Sequence, residues 1–241
     1  MLLEGKVALV TAAARRVGRA IATEFARAGA DIALHYHSSH DEARAAAEEL
    51  RSLGRRVELL QADLEDPRKI ARMFDVMAEK FGCLDVLVNN AAVYDATPLD
   101  GFSVEQWDRQ FAVNVRAAAL CISHGAKLMA SGGTIVNIAD TTAGGGRARY
   151  AAYCASKAAL LSLTRSAAKA LAPDITVNAV SPGVAEWAED ADEQRKNAVL
   201  ASVPMKRPGS AADVAQAVLF LATNPYITAQ NLRVDGGWHM E

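Results

Sequence analysis

The chain is 241 residues long, 51% hydrophobic and 22% charged, with a net charge of −2 and a pI near 6.2. That length and apolar content predict one globular domain over residues 1–241 and exclude a disordered chain. The balanced charge offers no basic face for nucleic acid, and no apolar run reaches the ~18 residues of a membrane span.

Short apolar runs alternate with longer amphipathic stretches. Lys6–Thr11 (KVALVT) reads as a buried strand, and Arg15–Ala28 follows as a helix with Val17, Ile21, Phe25 and Ala28 at helical spacing. Asp31–Tyr36 is a second strand, Asp41–Leu53 an alanine-rich helix and Arg56–Ala62 a third strand. Pro67–Phe81 is a helix with proline in its first turn, and Asp85–Asn89 a fourth strand. Ser103–Ala130 reads as one long helix, Thr134–Ala139 as a strand and Arg149–Leu171 as a helix. Ile175–Val180, Ala211–Leu221 and Leu232–Val234 complete the series as strand, helix and strand.

Strands that are apolar throughout imply a parallel sheet covered on both faces. With right-handed crossovers this is a doubly wound, Rossmann-type α/β fold of about seven strands. Residues 184–209 break the rhythm and read as a substrate loop or lid. MLLEGKVALV lacks the basic start and long apolar stretch of a secretion signal, so a cytoplasmic protein is expected. Cys83, Cys121 and Cys154 suit neither a disulfide framework nor a zinc site. They read as small buried hydrophobes, and no metal is expected.

In such a fold ligands bind at the carboxyl ends of the strands. The first of these turns is Thr11–Gly18 (TAAARRVG), which keeps one glycine, Gly18, of the three in a dinucleotide fingerprint. Arg15 and Arg16 stand where helix N–H groups already favour phosphate. The second strand ends in His35-Tyr36-His37-Ser38-Ser39, without the acid that binds a ribose 2′-hydroxyl, which favours NADPH over NADH. Asp63 is a candidate acceptor for an adenine amino group or a helix N-cap, and Asn89–Ala92 is a small-residue turn that admits a flat cofactor.

Tyr153 and Lys157 lie four residues apart in a predicted helix, hence on one face. A lysine cation beside a phenol favours the phenolate, which makes the pair a proton donor and relay for a reduction. Asp140 ends the fifth strand. Asn114, in FAVNVRA, is placed to hold a water that connects Lys157 to solvent.

Taken together, Asn89–Ala91, Asn114, the Tyr153/Lys157 pair, Ser181-Pro182-Gly183 and Val234-Asp235-Gly236-Gly237 resemble the short-chain dehydrogenase/reductase family over essentially the whole chain. Within it the chain looks most like the pteridine reductases. Asp140 replaces the usual serine, Arg16 the middle loop glycine, and HYHSS is close to their HYHRS. Gln61–Asp63 (QAD) and Thr97–Leu99 (TPL) fit as well.

The resemblance implies that Arg15, His37, Ser38 and Ser39 surround an NADPH 2′-phosphate and that Asp63 and Leu64 flank adenine. Arg16 and Val17 would lie at the pyrophosphate, and Asn90, Ala91, Ala92, Pro182 and Gly183 would line the cofactor. Lys157 would bond the nicotinamide ribose. Arg16, Tyr94, Asp140 and Tyr153 would meet a small pterin or folate-like substrate, Tyr94 by stacking. A homotetramer is implied too. Two departures stand out: Ala12 replaces a glycine, tolerable at negative φ, and Ser38 replaces a phosphate-binding arginine.

The expected reaction is hydride transfer from NADPH to a ring C=N, with Tyr153 as proton donor and Asp140, Lys157 and Asn114 in support. A carboxylate accepts from the N–H edge of a pterin but cannot donate to a carbonyl as serine does. The alternatives are a general carbonyl or 3-oxoacyl reductase of the same family and a non-catalytic NADPH-binding protein.

Overall fold

The computed structural model describes residues 1–185, 187 and 192–239. Seven strands form one parallel sheet: β1 (Val7–Val10), β2 (Asp31–Tyr36), β3 (Val57–Gln61), β4 (Val86–Asn89), β5 (Gly133–Ile138), β6 (Ile175–Pro182) and β7 (Asn231–Val234). Their order is β3-β2-β1-β4-β5-β6-β7, so the switch in winding falls between β1 and β4, where the fold opens a crevice.

Helices cover both faces: α1 (Arg16–Arg27), α2 (His40–Ser52), α3 (Pro67–Phe81), α4 (Val104–Phe111), α5 (Ala117–Gly125), α6 (Ala151–Leu171), α7 (Glu193–Ser202) and α8 (Ala211–Ala222). Along β1, Ala8 and Val10 pack with Ile21 and Phe25 of α1 and Val214 and Val218 of α8. Val7 and Leu9 join the opposite layer with Ile70 and Phe74 of α3 and Cys121 of α5. A strand buried on both sides has no polar face, which is why these runs are apolar throughout. Among the described residues no helix is long and apolar enough to cross a membrane.

Several boundaries depart from expectation. The predicted helix 103–130 is broken: after α4 the chain widens into a π turn at Ala112–Arg116 before α5 resumes. Such a turn inserts a residue where a side chain must be aimed, here Asn114. The cap of α3 is Asp66, whose carboxylate accepts from Arg68 N, and not Asp63. The irregular segment 184–209 contains α7, whose apolar residues follow no helical stripe and so gave no signal. Residues 186 and 188–191 of that segment lie outside the described residues. Cys121 and Cys154 are buried as expected, but Cys83 is exposed.

Candidate active site

The loop from β1 to α1 is anchored by three side chains. Thr11 Oγ1 accepts from Asn90 N at 2.8 Å and Ala91 N at 2.9 Å. Ala12 N donates to His35 Nδ1 at 3.0 Å, and His35 Nε2 donates to the Ala62 carbonyl at 3.1 Å. Burial pushes the His35 pKa down to about 4, so the ring is neutral with its proton on Nε2. Asn90 Nδ2 donates to Thr11 O and Ala12 O at 2.9 and 3.3 Å. A Cβ on Gly18 would overlap the Ala12 carbonyl oxygen and come within 2.6 Å of Asn90 Nδ2. The surviving glycine is therefore the one that lets α1 close against the loop.

Two residues in this loop carry left-handed backbone: Ala12 and Arg16, both at φ +52. The sequence reading accepted alanine at 12 on condition of a negative φ, and the structure removes that condition. A non-glycine residue there costs about 1–2 kcal/mol, and glycine's extra unfolded-state freedom offsets part of it. Ala12→Gly is expected to stabilise the fold by about 0.5–1 kcal/mol, read from urea unfolding. A destabilised variant would mean that the methyl group packs usefully.

The first turn of α1 has no side-chain cap and no acidic residue. The N–H groups of a helix N-terminus favour an anion. This one opens into a cleft of about 520 Å³. Arg15, Arg16 and Val17 line it from the loop, and His37, Ser38 and Ser39 from beyond β2. Asn90 and Ala92 enter from β4, Asp140 from β5, Tyr153 and Lys157 from α6, and Pro182 and Gly183 from β6. Arg15 lies 3.6 Å from Glu42, an exposed pair that an incoming phosphate would displace.

Five expected residues fall outside this lining. Asp63 accepts from Glu65 N at 3.0 Å, and that N–H holds its carboxyl below the ordinary range. Leu64 is buried in the core layer with Phe74, and Ala91 contributes its N–H to Thr11. Asn114 is buried. Its Nδ2 donates to Val93 O and Ser156 Oγ, both at 3.0 Å, and its Oδ1 accepts from Val93 N at 2.9 Å. With both amide protons committed, the side chain clamps the Val93 segment to α6. Tyr94 sits at the rim, edge-on to Tyr153 with ring centroids 4.5 Å apart.

At the catalytic end Tyr153 donates to Asp140 Oδ2 at 2.7 Å. Asp140 Oδ1 accepts from both Thr142 N and Thr142 Oγ1, each at 2.7 Å. The carboxylate is thus gripped on one oxygen and aimed with the other. Lys157 Nζ donates to the Ile138 carbonyl at 2.7 Å and lies 5.7 Å from the Tyr153 ring centroid.

The electrostatics reverse one expectation. Burial, reinforced by Asp140, raises the Tyr153 pKa well above its ordinary value, where the neighbouring lysine was expected to lower it. Burial lowers Lys157 to about 8, against a smaller upward pull from Asp140. The buried phenol faces a carboxylate, and the ammonium is spent on a carbonyl. In this arrangement Tyr153 is protonated in the free protein, and its raised pKa makes it a weaker acid until substrate and cofactor change its surroundings.

Sequence reasoning missed Thr11, His35 and Thr142 as builders of the site. Only Thr142 left a local signal: a threonine two residues after an aspartate at a strand end is a common turn pattern. Among the described residues no cluster of His, Cys, Asp and Glu is placed to hold a metal ion.

A family model described as enoyl-(acyl carrier protein) reductase matches residues 12–239. The chain is 36% identical over 242 residues to the 3-oxoacyl-(acyl-carrier-protein) reductase FabG of Staphylococcus aureus, with 98% of each chain covered. It is similar to a blue fluorescent protein from a metagenomic library solved in complex with NADPH, at TM-score 0.95 and 38% identity over 100% of both chains. It is also similar to a short-chain dehydrogenase from Burkholderia cenocepacia in complex with NADP, at TM-score 0.94 and 36% identity over 99% of each chain.

Proposed function

This chain belongs to the short-chain dehydrogenase/reductase family, and from that premise we propose that it is an NADP(H)-dependent reductase of a carbonyl compound of the 3-oxoacyl kind. One observation carries the reading: a single cleft joins an uncapped α1 N-terminus, a β2 end without a carboxylate, and Tyr153 one helical turn from Lys157.

The residues fit an NADP(H) molecule. Arg15, His37, Ser38 and Ser39 would surround the 2′-phosphate, and β2 ends without an acid that would repel it. Arg16, Val17 and the N-terminus of α1 would hold the pyrophosphate. Asn90, Ala92, Pro182 and Gly183 would line the remainder, and Lys157 would hold the nicotinamide ribose. Solved relatives bound to NADPH and NADP support the same choice. The bound dinucleotide supplies the hydride. Tyr153 donates its phenolic proton to the oxygen that becomes the alcohol, and Asp140 keeps that phenol oriented. The chain works as one domain, with 184–209 as its substrate loop, and assembles as a homotetramer.

The sequence expectation was a pteridine. The 3-oxoacyl reductase relative favours a carbonyl substrate and moves the pteridine to second place. A specific feature still favours that second reading: Asp140 stands where the family has a serine, and a carboxylate suits the N–H edge of a heterocycle.

NADPH oxidation with a 3-oxoacyl thioester and simple ketones, beside dihydrobiopterin and dihydrofolate, separates the two. The wild type is expected to reduce the carbonyl compounds. Asp140→Ser is expected to raise their kcat/KM about fivefold, through a new hydrogen bond worth about 1 kcal/mol to the substrate oxygen. Turnover of pteridines alone, lost in the serine variant, would replace this reading with the second. No NADPH turnover on any of them would favour a non-catalytic binding protein.

A further inference from the structure

The rim of the catalytic cleft is built from aromatic rings and one arginine that the mechanism does not use. Tyr94 stacks on Tyr150 with centroids 4.2 Å apart and planes 11° from parallel, and its edge meets Tyr153. Arg147 Nη1 donates to the Tyr94 hydroxyl at 3.2 Å, and its guanidinium lies 5.2 Å from the Trp238 ring centroid. Among the described residues Arg147 pairs with no carboxylate. Two acids of the same region are committed elsewhere: Asp140 to Tyr153 and Thr142, Asp235 to the Gly237 and His239 N–H groups.

A guanidinium has five N–H donors in a planar fork, and one of them is used here. Stacking on tryptophan and bonding to a tyrosine hold its plane without neutralising it. That is the arrangement of a cation kept ready for a carboxylate or phosphate, which a fork meets with two parallel hydrogen bonds. The anion's place follows from the stack. Arg147 grips the hydroxyl end of Tyr94, and the ring of Tyr94 touches the proton donor, so about one aromatic ring separates the arginine from the reacting atoms.

We propose that Arg147 is a specificity-determining residue that binds an anionic group of the substrate. The substrate is then a carbonyl compound bearing a carboxylate or phosphate about one ring's length from the carbon that is reduced. This inference rests on the reductase reading of the same cleft.

The test compares 4-formylbenzoate with benzaldehyde, which differ only in a carboxylate one ring away from the aldehyde. Calorimetric binding to the NADP⁺-loaded protein is measured alongside initial rates with NADPH, for wild type, Arg147→Met and Arg149→Met. Arg149 is an exposed neighbour and controls for overall charge. Wild type and Arg149→Met are expected to bind the carboxylate at least tenfold more tightly than benzaldehyde. Arg147→Met is expected to bring the two within twofold, with NADP⁺ affinity unchanged to show that the cleft is intact. Equal binding by the wild type, or a preference that survives in Arg147→Met, overturns the anion site. Arg147-dependent binding without turnover of either aldehyde supports the anion site and counts against the carbonyl reading instead. Turnover without a carboxylate preference does the reverse.

Discussion

Tyr153→Phe is expected to lower kcat by about 10³-fold or more while leaving NADPH affinity within about threefold of wild type. The phenol hydroxyl is the proton donor of the proposed reaction, and its surroundings keep it protonated in the free protein. It is buried, it faces the Asp140 carboxylate at 2.7 Å, and both effects raise its pKa. Phenylalanine keeps the ring and its contact with Tyr94 but removes the proton. It also strips Asp140 Oδ2 of its donor, so a small loss of stability accompanies the loss of rate. Steady-state turnover and a fluorescence titration with NADPH check the two halves. Retention of a tenth of the wild-type rate would move the acid elsewhere, and a parallel loss of NADPH binding would make Tyr153 a cofactor contact first.

Lys157→Met is expected to abolish most turnover and yet make the fold more stable at pH 7. The lysine is fully buried, and its pKa falls from 10.5 to about 8 because burial penalises the ammonium. Holding it charged below pH 8 costs roughly 3 kcal/mol. Methionine matches the stem, removes that cost and forfeits the bond to the Ile138 carbonyl, a loss of about 1–2 kcal/mol. The net gain is about 1–2 kcal/mol, or a few degrees in Tm for a chain of this size.

The pH dependence supplies a second readout. Between pH 8 and 10.5 the unfolded wild type keeps a proton that the folded form has released, so wild-type stability from this group rises with pH across that window. Below pH 8 the penalty is full and constant. The advantage of Lys157→Met is therefore largest at pH 7 and fades towards pH 10.5. Denaturant melts at pH 7 and pH 10 measure it. A methionine variant less stable than wild type at pH 7 would show that the Ile138 bond outweighs the burial penalty.

Together the two variants describe a site that is held against its own stability. A buried ammonium and two left-handed non-glycine residues, Ala12 and Arg16, sit along one cleft. Strain of this kind persists only where surrounding contacts enforce it. Here those contacts include the His35 ring and the Asn90 amide, both bonded to the loop backbone, and the Thr11 hydroxyl, which accepts from the Asn90 and Ala91 N–H groups beyond β4.

What the sequence determined by itself was everything carried by short-range periodicity. Apolar runs without alternation place strands in the middle of a covered sheet, and all seven strands were legible to within two residues at their ends. Proline in the first turn placed the start of α3, and a four-residue spacing put Tyr153 and Lys157 on one face of α6. The absence of an acid after β2 pointed to the cofactor because that position depends only on where one strand stops. Most of the expected site residues do line a single cleft, since the ends of parallel strands converge wherever the winding reverses.

Tertiary structure decided whatever depends on the company a residue keeps. The direction of the Tyr153 shift, the commitment of Asn114 to Val93 and Ser156, and the strain at Ala12 all arise from groups brought in from other segments. Tyr153 finds its carboxylate 13 positions away and Tyr94 finds Arg147 53 away. Burial and a nearby charge set a pKa, and neither is a property of the local pattern, because both are sums over neighbours that only the folded chain defines.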